Sequence, residues 1–172
     1  MEKIKLGRLL LLVAGFQGVS SQSAPDWSKL QHLTGHWVGE GNGQPGQGTG
    51  GFSFQSDLGG TILVRKSHTE FPATTARPAT IHDDLMVIYP DYTGAPSKAI
   101  YWDNERHTIE YAVTFTAQAV VFTSAASPHV PRFRLSYETI DESTINVKFE
   151  MAQPGSPEDF KMYLEGKSKK LK

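Results

Sequence analysis

The 172-residue chain has no cysteine. That excludes a disulfide framework and a lipid-attached cysteine. It also lacks a dominant charge: 17 Lys and Arg against 18 Asp and Glu leave a formal charge of −1. A general nucleic-acid surface or an anionic-membrane surface is therefore not expected. The one basic patch, Lys167-Ser168-Lys169-Lys170-Leu171-Lys172, reads as a frayed, solvated terminus. No apolar run reaches the ~20 residues of a membrane-spanning helix. Motifs of familiar catalysis are missing too. There is no Gly-x-Ser-x-Gly elbow, no Gly-x-x-x-x-Gly-Lys loop, no His-Glu-x-x-His and no Cys-x-x-Cys.

The longest apolar run, Leu9-Leu10-Leu11-Leu12-Val13-Ala14-Gly15-Phe16, has the length of a signal-peptide h-region. Lys3, Lys5 and Arg8 supply the basic n-region before it, and Ser20, Ser21 and Ser23 supply small residues after it. Residues 1–23 thus read as a secretory signal peptide, cleaved after Ser21 or Ser23. The mature chain, residues 24–172, is then a single domain of charge −3 with a secreted or periplasmic location.

Residues 26–33 predict a short helix capped by Asp26, with Trp27, Leu30 and Leu33 on one face and Gly35 as its stop. His32 and His36 have the spacing of a helical metal pair, but Gly35 turns the chain between them. They read as two surface histidines, and no metal site is expected. The polar stretch 41–51 is a long hairpin loop. Short strands then follow at 51–58, 61–70, 82–89, 98–103, 107–115 and 119–123. Three further strands alternate most clearly: Phe133, Leu135 and Tyr137; Ile145, Val147, Phe149 and Met151; Phe160, Met162 and Leu164. About ten strands without a second amphipathic helix predict an all-β domain. The helix leading into a glycine-flanked tryptophan favours a closed antiparallel barrel whose floor it plugs. Trp37 shares its strand face with Gly35 and Gly39 and is expected to lie buried on that floor. Trp102, just before a turn, is expected to be more exposed.

Leu33-Thr34-Gly35-His36-Trp37-Val38-Gly39-Glu40-Gly41 resembles the Gly-x-Trp-x-Gly-x-Gly opening of the nitrobindin-like barrels. These belong to the calycin group, with lipocalins and fatty-acid-binding proteins. Leu58-Gly59-Gly60, His82-Asp83-Asp84 and the strand carrying Arg132, Arg134, Ser136 and Tyr137 resemble features of an uncharacterised bacterial secreted branch of that group. The resemblance spans about residues 30–168 and implies a calycin/lipocalin-like barrel with an internal ligand. For the nitrobindin-like members it also implies heme held by a histidine near the C-terminal end of the barrel. This chain has Gln44-Pro45-Gly46-Gln47 where those members carry Tyr-Pro-Thr, and residues 160–172 contain no histidine. Iron would need His129, another histidine or a tyrosine.

A barrel of about ten strands is wide enough for a cavity, and ligand cavities are mostly apolar with a few convergent polar groups. Arg65 and Arg134 are charges within apolar strands, and an inward-facing arginine would take a carboxylate or phosphate through its planar fork. Alternation equally allows both to face solvent. His82 and Asp84 share a face with Met86 and Ile88, as a structural pair or as an acid–base pair. With Trp37, Tyr111 and Tyr137, these four residues form the candidate ligand-binding set. The leading expectation is a binding module for an apolar or amphipathic small molecule, with an anionic group as one option. A barrel enzyme using His82 and Asp84 is the alternative. An interaction protein with a vestigial cavity is a third.

Overall fold

A computed structural model describes residues 23–41 and 47–172. The expected signal segment, apart from Ser23, and the middle of the glycine-rich loop lie outside the described residues. Ten strands form one closed antiparallel barrel. They are β1 (Gly35–Glu40), β2 (Thr49–Asp57), β3 (Ile62–Phe71), β4 (Thr80–Pro90), β5 (Pro96–Asp103), β6 (Thr108–Phe115), β7 (Ala119–Ser124), β8 (Arg132–Asp141), β9 (Thr144–Ala152) and β10 (Lys161–Lys170). Each strand pairs with its neighbours in sequence, and β1 closes the barrel against β10. Closure leaves no free ends to the strand order, the usual solution for an antiparallel sheet of this size.

Two expectations need correction. The helix over 26–33 is absent; a turn and one 3₁₀ turn, Gln31–Leu33, stand in its place. The backbone bonds run i to i+3, from Leu33 N to Leu30 O (3.0 Å) and from Thr34 N to Gln31 O (3.2 Å). Trp27, Leu30 and Leu33 recur every three residues, the period of a 3₁₀ turn rather than of an α-helix. Their role as a plug remains. Leu30 and Leu33 are fully buried, and the Trp27 indole donates to Gly60 O at 2.8 Å. The second correction concerns the basic tail, which is not frayed. Lys167 to Lys170 pair with Glu40 to Trp37 and complete the barrel. Lys170 donates through Nζ to His32 O at 3.0 Å and sits 5.3 Å from the Trp37 ring centre, an aliphatic stem lying along the core with its charge at the edge.

Glycine is required where the strands converge on Trp37. Gly35 has φ +108° at the step from the 3₁₀ turn into β1. A Cβ on Gly51 would meet Trp37 O at 2.3 Å. The two strands can approach this closely only without a side chain there.

Burial divides the interior into two levels. Near the floor the inward side chains are closed off: Trp37, Phe54, Ile88, Phe122, Tyr137 and Ile145. Toward the other end the inward positions of the same strands open up. Ser67 and Thr69 continue from Leu63 and Arg65, Asp84 and His82 from Ile88 and Met86, Phe133 from Tyr137 and Leu135, and Val147 and Phe149 from Ile145, all half-buried. Among the described residues the interior is thus packed at the floor and less covered toward the other end, the mouth. Aromatic rings fill the lower half and leave it no room for the expected cavity.

Candidate functional site

The site lies at the level where burial changes. Pairing of β3 with β4 sets Ser67 opposite Asp84 and Arg65 opposite Met86; pairing of β4 with β5 sets Met86 opposite Tyr101 and Asp84 opposite Asp103. Strand alternation points all of these inward. Arg65 and Asp84 are thus diagonal neighbours, and the guanidinium Nη1 forms an ion pair with Asp84 Oδ1. The Arg65 side chain is 9% exposed and that of Asp84 5%. The guanidinium also lies 5.2 Å from the Phe52 ring centre and 5.9 Å from that of Tyr137. Burial disfavours the charged guanidinium, but Tyr137 and Asp84 outweigh it and raise the Arg65 pKa. Its positive charge is answered inside the protein.

Two polar atoms at this level are left over. Arg65 Nε and the Tyr137 hydroxyl are buried and lack a hydrogen-bond partner among the described residues. Native interiors rarely leave such groups unpaired. Burial pushes the Tyr137 pKa up and outweighs the nearby Arg65 guanidinium, which lowers it, so the hydroxyl keeps its proton.

Toward the mouth, His82 Nε2 lies 3.1 Å from the Tyr101 hydroxyl and Nδ1 3.2 Å from Glu105 Oε1. Its distance to Asp84 Oδ2 is 3.7 Å, beyond a hydrogen bond. His82 and Asp84 do share the inward face, but Asp84 is committed to Arg65 and the imidazole to Tyr101 and Glu105. His82 and Asp84 are in ion-pair range through Asp84 Oδ2 without a direct hydrogen bond between them. The Tyr101 hydroxyl donates to Asp103 Oδ2 at 3.2 Å. Asp103 also accepts from the backbone N–H groups of Glu105 (3.0 Å) and His107 (2.9 Å) and pairs with His107 Nδ1 at 2.8 Å. Burial works against the Asp103 carboxylate, but the His107 backbone and ring and the Tyr101 hydroxyl prevail and lower its pKa.

Of the seven residues expected to bind ligand, Arg65, His82, Asp84 and Tyr137 come together here. Tyr111 is buried beneath them, edge-on to Phe122 at 6.2 Å. Trp37 belongs to the floor, its indole donating to Leu33 O at 2.8 Å and stacking on Phe52 at 6.3 Å. Arg134 is elsewhere. It leaves β8 on the outer face and grips Glu150 with two bonds, Nε to Oε2 at 2.7 Å and Nη2 to Oε1 at 2.8 Å, beneath Phe160 at 4.1 Å. That pairing straps the β9–β10 loop to the wall. Tyr101 and Asp103 were not among the expected residues. Their signal was present as inward alternation from Ala99, but Asp103 also opens a turn and its residue type suits that role alone.

Among the described residues no group of three His, Asp or Glu side chains is placed to hold a metal ion. None of the six histidines offers heme iron a free inward nitrogen. His32, His36, His68, His107 and His129 are exposed, and the inward His82 has both ring nitrogens paired. No described helix is long and apolar enough to cross a membrane. No family model matches the chain, and no curated protein matches it in sequence.

Proposed function

We propose that this chain is a calycin-like barrel that binds an apolar or amphipathic small molecule in its upper half, and that it works outside the cytoplasm. The observation that carries the reading is the inward face above Tyr137. Phe52, Ile109, Phe133 and Phe149 turn apolar surface toward the mouth and are only partly covered. The polar group of Arg65, Asp84 and Tyr101 stands between Phe52, 5.2 Å from the guanidinium, and Ile109, which pairs with Tyr101. A half-covered apolar wall with a few buried polar groups is the usual composition of a ligand pocket. Phe133 and Phe149 stack at 5.8 Å, with planes 8° apart, and offer a flat apolar face to a ligand. The extracytoplasmic location rests on the pattern of residues 1–23 alone; N-terminal sequencing of exported protein tests it, with Gln22 or Ala24 expected as the first residue.

The binding reading is tested by thermal-shift and native mass-spectrometric screening of the mature chain against fatty carboxylates, their neutral derivatives, sterols and hemin. At least one apolar or amphipathic compound is expected to bind one-to-one and raise the melting temperature, and hemin is not. Stabilisation by none of them contradicts the reading.

A further inference from the structure

Resting on the ligand-binding reading, we propose that the polar end of the ligand is an uncharged carbonyl oxygen seated between Arg65 Nε and the Tyr137 hydroxyl. Arg65 is 7% exposed and Tyr137 0%, so neither orphaned group can turn to bulk water. Both are donors. Arginine Nε–H has no acceptor capacity, and the Tyr137 hydroxyl stays protonated because burial raises its pKa. Both belong to the inward face, the Arg65 guanidinium close to the Tyr137 hydroxyl, and one acceptor atom placed between them would satisfy both.

The charge around them decides which kind. Arg65 already faces Asp84, and Asp84 pairs in register with Asp103 on the neighbouring strand. Asp103 is held ionised by N–H and O–H donors. The bowl thus contains one guanidinium and two carboxylates before any ligand arrives. A ligand carboxylate would bring a third into a space of low dielectric. It would also find the fork of Arg65 half taken, because Nη1 is engaged by Asp84. A ketone, aldehyde, amide or ester oxygen accepts from both donors and adds no charge. The Phe52 ring, 5.2 Å from the guanidinium, covers the start of the skeleton attached to that oxygen. The remainder runs toward the mouth along Phe133 and Phe149.

The test compares four probes of matched chain length on the mature protein at pH 7.5: 2-dodecanone, dodecanamide, dodecanoate and dodecane. The ketone and the amide are expected to bind at least about tenfold more tightly than dodecanoate. Tyr137→Phe, which removes only the hydroxyl, is expected to weaken the ketone about tenfold and to leave dodecane unchanged. With a ¹³C-labelled carbonyl, the bound ketone is expected to show a lowered stretching frequency that Tyr137→Phe partly restores. Dodecanoate binding as tightly as the ketone overturns the proposal while leaving the binding reading intact. So does an unchanged ketone affinity in Tyr137→Phe, which would assign the two donors to a buried water. If none of the four probes binds while another compound of the wider screen does, this proposal fails and the binding reading stands; if nothing in either set binds, both fail. The ranking of probes on the unmutated protein stands even if Tyr137→Phe does not fold.

Discussion

Arg65 and Asp84 form a buried ion pair, and removing either partner leaves the other charged in a site almost closed to water. Such a loss costs about 3–5 kcal/mol. Arg65→Met should lie at the upper end, because it also removes the cation from between Phe52 and Tyr137, an interaction worth about 0.5–2 kcal/mol. Asp84→Leu should be milder, since the guanidinium keeps both rings. Additive losses would total about 6–10 kcal/mol, comparable with the ~5–15 kcal/mol stability of a whole domain, and the double variant would then barely fold. The expected outcome is different. Arg65→Met with Asp84→Leu removes both charges at similar volume and should lie within about 3 kcal/mol of the unmutated protein. The coupling energy from the four-way cycle should therefore reach at least about 3 kcal/mol. Urea unfolding followed by tryptophan fluorescence and far-ultraviolet dichroism gives the four stabilities. A double variant that loses the sum of its single losses refutes the argument, because the two charges would then not be answering each other.

Trp37 is 2% exposed and Trp102 40%; Trp37→Ala should cost about 3–5 kcal/mol and Trp102→Ala about 1 kcal/mol or less. Equal losses by chemical denaturation would remove the special role of the floor. Asp103 has a lowered pKa, so its contribution is present above the unfolded value of about 4 and is lost as pH falls through the lower folded value. Urea midpoints between about pH 5 and 2.5 should consequently fall less steeply for Asp103→Asn than for the unmutated chain, and parallel curves would contradict this. Deleting residues 167–172 removes every pairing of β1 with β10. Hydrogen exchange should then show β1 amides losing protection first, whereas unchanged protection would mean that the tail does not close the barrel.

The strand pattern was readable because most strands bury one face, so alternation reports both their existence and their parity. It located Phe133, Leu135 and Tyr137 inward and by the same rule sends Arg134 outward. Arg65 was harder, since Ile62, Leu63 and Val64 are apolar on both faces and hide the parity. The first turn is not legible as 3₁₀ because a spacing of three residues serves a 3₁₀ turn as well as an α-helical face. The basic tail hides its strand because four lysines in six residues have the composition of a solvated terminus. Yet Lys167, Lys169 and Lys170 belong to β10, whose partner β1 is more than a hundred residues distant. The union of Arg65 with Asp84, and the placing of Asp103 beside Asp84, depend on register between strands. No local pattern encodes register where one strand ends in a long loop, as β3 does before β4.

The central claim is that ligand occupies the inward face above Tyr137 while the floor stays packed. The most direct measurement is a ¹³C-detected NMR titration of the mature protein with whichever compound gives the largest thermal shift. Shifts are expected at Thr69, Phe133 and Phe149 and at the Arg65 guanidinium, with Phe54, Val120 and Ile145 unmoved. Shifts confined to the outer face, around Trp102 or Arg134, would contradict the account.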